Sequence, residues 1–468
     1  MNQNKKTSPS IEPDDKPRSQ ARSWIIDVIG YPGKSEDNSP EARHLCIKKR
    51  LSTLENSEAQ VVVDFLDELL REGNLEGDQR KRALDLLCKT VQSEETVPRR
   101  LKLSDIRCNL NISECIATGG YGNIFKGQLS GRSVCVKVTP RFNHSEGSSE
   151  QIKAHVRELI VSSHIAHENI LPFHGVWACE GGCLAGVSEW MDAGNLRHYL
   201  RKEPGTPRIP LMADIISGLD YLHTMDIIHN DLKAANVLYS LETQRALLAD
   251  FGVSHVAATV ATKPGQLGSI YWTAPEILVP EEGKDMSPPT PESDIWSFAC
   301  TCYELLTDST PFHQADGNTA ISIQHPRLIV SMMLRKVVPP LPDSIVVHDG
   351  PKDAVLGPEI RDVLKRCWNY TPTERPSAQK IKSHISNLEY RDDRAHSQNI
   401  DYDRVLSIFH RVDPRCPIPC SPITQLDPPA RPPETPITHL DPPARSLEKG
   451  PIFILMAALF FFFWWQIR

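Results

Sequence analysis

Between Ser57 and Glu72, the apolar residues Val61, Val62, Phe65, Leu66, Leu69 and Leu70 recur at i, i+1, i+4, i+5, i+8 and i+9. That spacing lines one face of an amphipathic helix. Asn56 or Ser57 suits the start of this helix as its N-cap, and Gly73 suits its stop. Ala83, Leu84, Leu86, Leu87 and Val91 predict a second helix from Asp78 to Ser93. Upstream, Trp24, Ile25, Ile26, Val28 and Ile29 form a short apolar cluster. Residues 22–105 therefore form a helical extension of two or three helices. It either packs on the domain that follows or presents a face to a partner. No residue in it suggests chemistry.

From residue 106 to 388 the texture becomes mixed α/β with dense turn signals. Val134 to Val138 forms an apolar strand interrupted by Lys137, and Ile152 to Ile165 is amphipathic and helical. The flanks differ from this body. Residues 1–21 are rich in Ser, Pro, Lys and Asp without apolar period and read as a disordered tail. Residues 389–450 form a Pro-rich linker: 12 of the 38 prolines fall between 411 and 451, which argues against a packed core there. The linker holds a two-copy repeat, Pro422 to Arg431 and again Pro436 to Arg445, which is either a duplicated spacer or a docking peptide. The segment 451–468 contains the uncharged apolar run Ile452 to Trp465. As a helix this run would span about 21 Å, short of the roughly 30 Å hydrocarbon core. A membrane contact through 452–465, packing on a protein partner and an erroneous reading frame all stay open for it.

The chemistry concentrates in four places. In Ile116 to Lys126, small residues at Ala117, Gly119 and Gly122, followed by Ile124, fit a strand, turn and strand lying over a triphosphate. A plain hairpin explains the same residues equally well. Lys137 sits inside an apolar strand, where an ammonium is costly unless paired. Glu158, 21 residues on, is available as its partner. Asp231, Lys233 and Asn236 lie between apolar runs in Ile227 to Tyr239. A carboxylate there can accept a hydroxyl proton, the Lys can offset phosphate charge, and the amide oxygen suits a hard cation such as Mg²⁺. Asp250, 19 residues after Asp231, offers a further metal ligand in Asp250-Phe251-Gly252.

Taken together with Ala274-Pro275-Glu276, these elements resemble the eukaryotic protein kinase signature in order and separation. The resemblance covers residues 106–388. It implies an α+β, bilobal protein kinase fold, with a β-rich N-lobe and a helical C-lobe. The implied activity is phosphoryl transfer from ATP, with Mg²⁺, to Ser/Thr hydroxyls of protein substrates in intracellular signalling.

It also implies roles for individual residues. Asp231 and Lys233 are catalytic, and Asn236 and Asp250 hold the metal. Ile116, Ala117, Gly119, Gly122, Ile124, Cys135, Lys137, Glu158, Ser188, Glu189, Met191 and Leu238 form the ATP site, with Ser188 as gatekeeper and Glu189 to Met191 as hinge. Asp250, Phe251, Gly252, Ala274, Pro275 and Glu276 bound the activation segment, and Arg375 is expected to pair with Glu276. Asp294 to Phe298 resembles the start of a large buried helix. Lys233, the Trp190-Met191 hinge with Gly194-Asn195-Leu196, and the Cys367-Trp368 ending are similar to the tyrosine-kinase-like group of serine/threonine kinases.

Three departures stand out: Ala117 for the first loop glycine, Cys135 for the usual Ala above adenine, and Asn230 for an Arg that in the family pairs with an activation-segment phosphate. Asn230 cannot supply that charge, so activity is expected to depend weakly on phosphorylation there. Thr259, Thr262, Ser269 and Thr273 lie in that segment as candidate phosphorylation sites, among which the sequence does not choose. A binding-only scaffold with the same fold is the rival class, and a membrane-tethered adaptor is a third.

Composition narrows the partners. The 468 residues carry a net charge of -7, which does not suit a nucleic-acid partner. Twelve Cys are too sparse for a disulfide scaffold, and the Cys179/Cys183 and Cys416/Cys420 pairs lack the second set that zinc needs. The polar start has no apolar stretch of the kind a secretory signal uses. Free thiols in a cytoplasmic, reducing compartment are therefore expected, with tethering by the C-terminal run held open. All of this requires Lys137, Asp231, Asn236 and Asp250 to meet in one cleft.

Overall fold

The computed structural model describes residues 56–394, apart from 73–74, 76, 95, 120–121, 139–146, 180–182, 251–268, 280–286, 313–325, 343–344, 350–351, 356, 389, 391 and 393. In chain order the elements are α1 (Asn56–Arg71), α2 (Gly77–Glu94), β1 (Lys102–Leu103), β2 (Ile106–Arg107), β3 (Ala117–Gly119), β4 (Gly122–Leu129), β5 (Arg132–Val138), α3 (Gly147–Ser162), β6 (Phe173–Cys179), β7 (Cys183–Glu189), α4 (Leu196–Lys202), α5 (Arg208–Thr224), β8 (Val237–Tyr239), β9 (Ala246–Leu248), α6 (Pro275–Leu278), α7 (Pro291–Thr307), α8 (Pro326–Leu334), β10 (Val346–Asp349), β11 (Lys352–Val355), α9 (Pro358–Cys367) and α10 (Ala378–Ser386). The sheet-forming strands thus lie ahead of the larger helical part, the α+β division expected from the sequence.

The seven-stranded sheet runs β1-β6-β7-β5-β4-β2, with β3 paired to β4. Along β5 the side chains alternate. Val134 and Val136 are fully buried with Phe125, Leu129, Ala185 and Val187 on one face. Cys135 and Lys137 take the other. Opposite Lys137 on β7 stands Gly186. A Cβ at Gly186 would lie 2.7 Å from Leu159 Cδ2 of α3. The missing side chain lets α3 approach the sheet directly behind Lys137. On β6, Gly175 has φ +154°, and a Cβ there would fall 2.5 Å from the Leu101 carbonyl oxygen. Only glycine lets the 3₁₀ turn Arg99–Leu101 abut the sheet before β1 pairs with β6.

The second half packs around α5 and α7. Trp296, Phe298 and Trp368 are fully buried there. Helix α7 begins three residues ahead of the expected Asp294, because Thr290 and Ser293 form a reciprocal capping box with Pro291 at the first turn. Helix α3 ends at Ser162, ahead of the expected Ile165. There Ser163 Oγ donates to the Ile160 carbonyl at 2.8 Å and His164 Nδ1 meets the same carbonyl at 3.0 Å, so side chains take over from the helical ladder.

The extension's helices join the same core. Val62, Val63, Leu66 and Leu70 of α1 and Leu86, Leu87 and Val91 of α2 are buried with Val156, Leu159 and Ile160 of α3. Their apolar stripes face the body of the protein, the packing arrangement of the two considered. Past α10 the chain stays on the body as far as Arg394, whose guanidinium meets Asp214 of α5 and the Gln244 and Pro210 carbonyls. Among the described residues no helix is long and apolar enough to cross a membrane. The Trp24 cluster, the 1–21 tail, the repeat and the 452–465 run lie outside them.

Gly175→Ala is expected to lower unfolding stability by about 2–4 kcal/mol, since it adds both a backbone clash and a strained φ. Urea denaturation followed by fluorescence measures this, and an unchanged midpoint would refute the packing described at the Arg99–Leu101 turn.

Candidate active site

Lys137 sits at the centre. Its Nζ lies 2.9 Å from Glu158 Oε1 and 2.7 Å from Asp250 Oδ1. Burial alone would push the ammonium to lower pKa, but the two carboxylates outweigh it and hold Lys137 well above the ordinary lysine range. Burial would likewise raise Asp250, and the Lys137 charge overrides it and holds the carboxyl below the usual range. Three elements distant in sequence are thereby tied together: β5, α3 and the end of the β9 turn. Asp250 has φ +58°, a left-handed conformation that Asp tolerates better than most residues.

The second cluster lies on the loop between α5 and β8. Lys233 Nζ donates to both Asp231 oxygens, at 2.9 and 2.8 Å, and to Ser269 Oγ at 2.7 Å. Asn236 Nδ2 donates to the Asp231 carbonyl at 2.7 Å and to its Oδ2 at 2.8 Å. The amide thus spends its NH₂ on Asp231 and leaves its oxygen as an acceptor. The Ala249 N–H donates to the Asn236 carbonyl at 2.9 Å, so Asn236 and Asp250 are neighbours through the backbone. With Asp250 Oδ1 taken by Lys137, the second Asp250 oxygen and the Asn236 amide oxygen are the two hard donors on offer. Among the described residues there is no closed cage of three or more metal-ligating side chains. An open pair of oxygens fits Mg²⁺, which commonly binds one or two protein oxygens and completes its octahedron with water and phosphate.

The loop is held from beneath by two acidic residues of α7, Asp294 and Glu304, to which the sequence reading gave no role at this loop. Asp294, fully buried on α7, accepts from the His229 and Asn230 N–H groups at 2.8 Å each and from His223 Nε2 at 2.9 Å. Asn230, at φ +62°, has its own N–H fixed on Asp294, while the next N–H, of Asp231, points to His229 Nδ1 at 3.4 Å. Glu304, also on α7, accepts from the Ala234 N–H at 3.0 Å and from Trp272 Nε1 at 3.1 Å. Sequence offered one signal for these two: acidic residues inside an otherwise apolar helix need buried partners. His229 is buried and braces the loop. Desolvation outweighs the pull of Asp294 and Asp231 and lowers its pKa.

The remaining expected residues lie as follows. Ala117 pairs with Ile124, and Gly119 with Gly122, across the β3–β4 turn. Ile116 hydrogen-bonds through its N–H to the Ile124 carbonyl at 2.8 Å. Cys135 and Ser188 are direct neighbours in the β5–β7 register, and burial pushes the Cys135 thiol up to about 11. Glu189 ends β7, with its N–H on the Pro172 carbonyl, and Met191 follows in the hinge. Leu238 lies in the short β8 strand, bridged to Asn195. At the hinge Lys126 Nζ stands 4.7 Å over the Trp190 ring and 3.2 Å from Asp192. Ala274, Pro275 and Glu276 open α6, and Glu276 meets the buried Arg375 through two bonds of 2.6 and 2.7 Å, the pairing expected of them. Phe251, Gly252, Thr259 and Thr262 lie outside the described residues.

Comparison with known proteins identifies the family of this region. The protein kinase domain family matches residues 110–385. The serine/threonine/tyrosine-protein kinase HT1 of Arabidopsis thaliana is 31% identical over 281 residues, covering 58% of this chain and 64% of HT1. The serine/threonine-protein kinase STY46 of the same plant is 28% identical over 285 residues, 60% of this chain and 44% of STY46. The mitogen-activated protein kinase kinase kinase 12 of Rattus norvegicus is 30% identical over 275 residues, 58% of this chain and 26% of that protein. The chain therefore spans less than two thirds of the length of the curated relatives it matches.

The depressed His229 pKa carries a sign. The folded ring takes its proton at lower pH than the unfolded ring, whose value is near 6.5. The unfolded state binds more protons as pH falls through that value, so stability drops on acidification until the folded ring also protonates. Unfolding free energy is expected to fall between pH 7 and pH 5, and less steeply in His229→Phe. Equal slopes in the two proteins would refute the assignment.

Proposed function

The chain belongs to the protein kinase domain family, and on that premise we propose that it is a serine/threonine kinase using ATP and Mg²⁺ on protein substrates. The observation that carries this is the convergence of Lys137, Glu158 and Asp250 beside the Asp231, Lys233 and Asn236 loop. Phosphoryl transfer asks little covalent work of a protein; positioning and charge stabilisation dominate.

In this scheme Asp231 orients the substrate hydroxyl and accepts its proton. Asn236, by donating to Asp231, fixes the carboxylate's rotation. Lys233, already on Asp231 and Ser269, is placed to offset charge on the phosphoryl group in transit. Lys137 binds the α- and β-phosphates and is kept charged and oriented by Glu158. The amide oxygen of Asn236 and the second oxygen of Asp250 would hold Mg²⁺, which when bound neutralises developing phosphate charge. Gly119 and Gly122, paired across β3 and β4, lie over the phosphates in this scheme. Ile116, Ala117, Ile124, Cys135 and Leu238 supply the apolar walls for adenine, beside the Ser188 gatekeeper and the Glu189 to Met191 hinge. Lys233, two residues after Asp231, favours Ser/Thr over Tyr acceptors. Reduced thiols such as the buried Cys300, Cys302 and Cys367 suit an intracellular signalling role.

Asp231→Asn is expected to keep the fold and cut transfer of labelled phosphate from ATP to a generic acceptor protein by about 10²–10⁴-fold, and Lys137→Met to abolish it. Undiminished transfer in either variant would overturn the scheme, and a wild-type chain that binds MgATP but transfers nothing would favour the binding-only scaffold. Because Asn230 replaces a phosphate-pairing Arg, phosphatase treatment is expected to leave activity within about threefold; its abolition would show that segment phosphorylation is required.

A further inference from the structure

Glu158 reaches Lys137 only while α3 keeps its present rotation and height over the sheet. On the sheet side Leu159 rests on Gly186. On the opposite side lie α1 and α2, and there the contacts are polar and directional as well as apolar. Asp67 of α1 is 4% exposed. Its Oδ2 accepts from Arg100 Nε, and its Oδ1 lies 3.1 Å from His164 Nε2. The other ring nitrogen of His164 meets the Ile160 carbonyl in the last turn of α3. Arg100 Nη2 also donates to the Ser163 carbonyl at 3.4 Å. Arg80 of α2 donates to the Leu70 carbonyl at 2.7 Å and to the His164 carbonyl at 3.2 Å. Farther up α3, Arg157 stands 3.6 Å from Asp85 of α2.

The end of α3 is thus held by three charged residues that all precede the sheet in sequence. Apolar packing does not do this alone. A cavity of about 170 Å³, lined by Leu70, Arg100, His164, Ile170 and Phe173 among others, separates α1 from the segment after α3. Burial would raise Asp67, but its contacts with His164 and Arg100 outweigh that and keep the carboxyl below the usual range. Asp67 thus accepts from the Arg100 guanidinium and stands 3.1 Å from the His164 ring, in a site little exposed to solvent. Such pairs constrain geometry more than apolar contact does, because misalignment leaves a buried charge uncompensated.

We propose that Asp67 is a positioning residue for phosphoryl transfer: through Arg100 and His164 it locks the C-terminal end of α3, so that the α1–α2 extension holds Glu158 against Lys137. The extension is then a built-in part of the catalytic apparatus. This rests on the phosphotransfer scheme above, and the test separates the two.

The full-length chain is compared with Asp67→Asn, Asp67→Glu, Arg80→Gln, Glu158→Gln and the double variant Asp67→Asn/Glu158→Gln. Amide hydrogen exchange reads α3 without reference to activity. Asp67→Asn is expected to speed exchange over residues 153–162 of α3 by about tenfold while α7 keeps its protection. It should also lower kcat/KM for ATP by a similar factor, chiefly through KM. Asp67→Glu should recover part of both effects. Because Asp67 acts through Glu158, the double variant should be no slower than Glu158→Gln alone. Lys81→Ala, which removes an exposed pair with Asp226, should change neither readout. Unchanged α3 exchange in Asp67→Asn, or losses that multiply in the double variant, would overturn the proposal. Should Asp67→Asn fail to fold, Arg80→Gln cuts the same junction from its solvent side and must show the same selective loosening of α3. A wild-type chain without phosphotransfer would sink the scheme above, while the exchange result would still decide whether Asp67 locks α3.

Discussion

One ammonium group organises this molecule. Lys137 projects from the face of β5 opposite its buried valines, and it is tolerable there only because Glu158 and Asp250 stand within 3 Å. Removing either carboxylate would weaken the compensation of a buried charge. The requirement links the sheet, helix α3 and Asp250, adding a directional constraint to the packing of α3 on the sheet. It also brings the sheet beside the Asp231 loop, where the Ala249 N–H bonds the Asn236 carbonyl.

The Asp231 loop follows the same logic at one remove. Asp231, Lys233 and Asn236 form a closed set of hydrogen bonds, but the loop that presents them has few backbone bonds of its own. Asp294 and Glu304, separated by nearly three turns of α7, accept its free N–H groups from below. A helix rich in buried apolar residues carries two carboxylates for this purpose. Each is costly to bury alone, and each is matched by donors that would otherwise be orphaned. The geometry of the Asp231 loop is therefore anchored on the buried helix α7, while the Glu158–Lys137 contact depends on how α3 is held. The α1–α2 extension enters at that less constrained point.

The chemistry of the site was legible in sequence because its residues cluster in short segments. Lys137 in a strand, Asp231-x-Lys233-x-x-Asn236 in a loop and Asp250 before Phe251-Gly252 are weak signals singly and mark candidate site residues only as a set. The amphipathic stripes of α1 and α2 were legible for the same reason, with observed limits of Asn56–Arg71 and Gly77–Glu94 close to those expected. Less legible were the partners. Nothing near Asp294 in sequence indicates that it serves His229, 65 residues away. Nothing near Asp67 points to His164, and Gly186 looks like any glycine in a strand until Leu159 is seen against it.

The sequence alone determined which polar functions exist, their order along the chain, and the helical and extended segments that carry them. These follow from local periodicity and from the chemistry each side chain can perform. Tertiary structure alone decided which buried charge meets which, where α3 stops, and that the apolar stripes of the extension close on α3. The physical reason is that a buried polar group must find a partner, yet its own neighbours in sequence do not specify that partner. The partner is selected when packing brings distant elements within hydrogen-bonding reach and water is excluded from the gap between them.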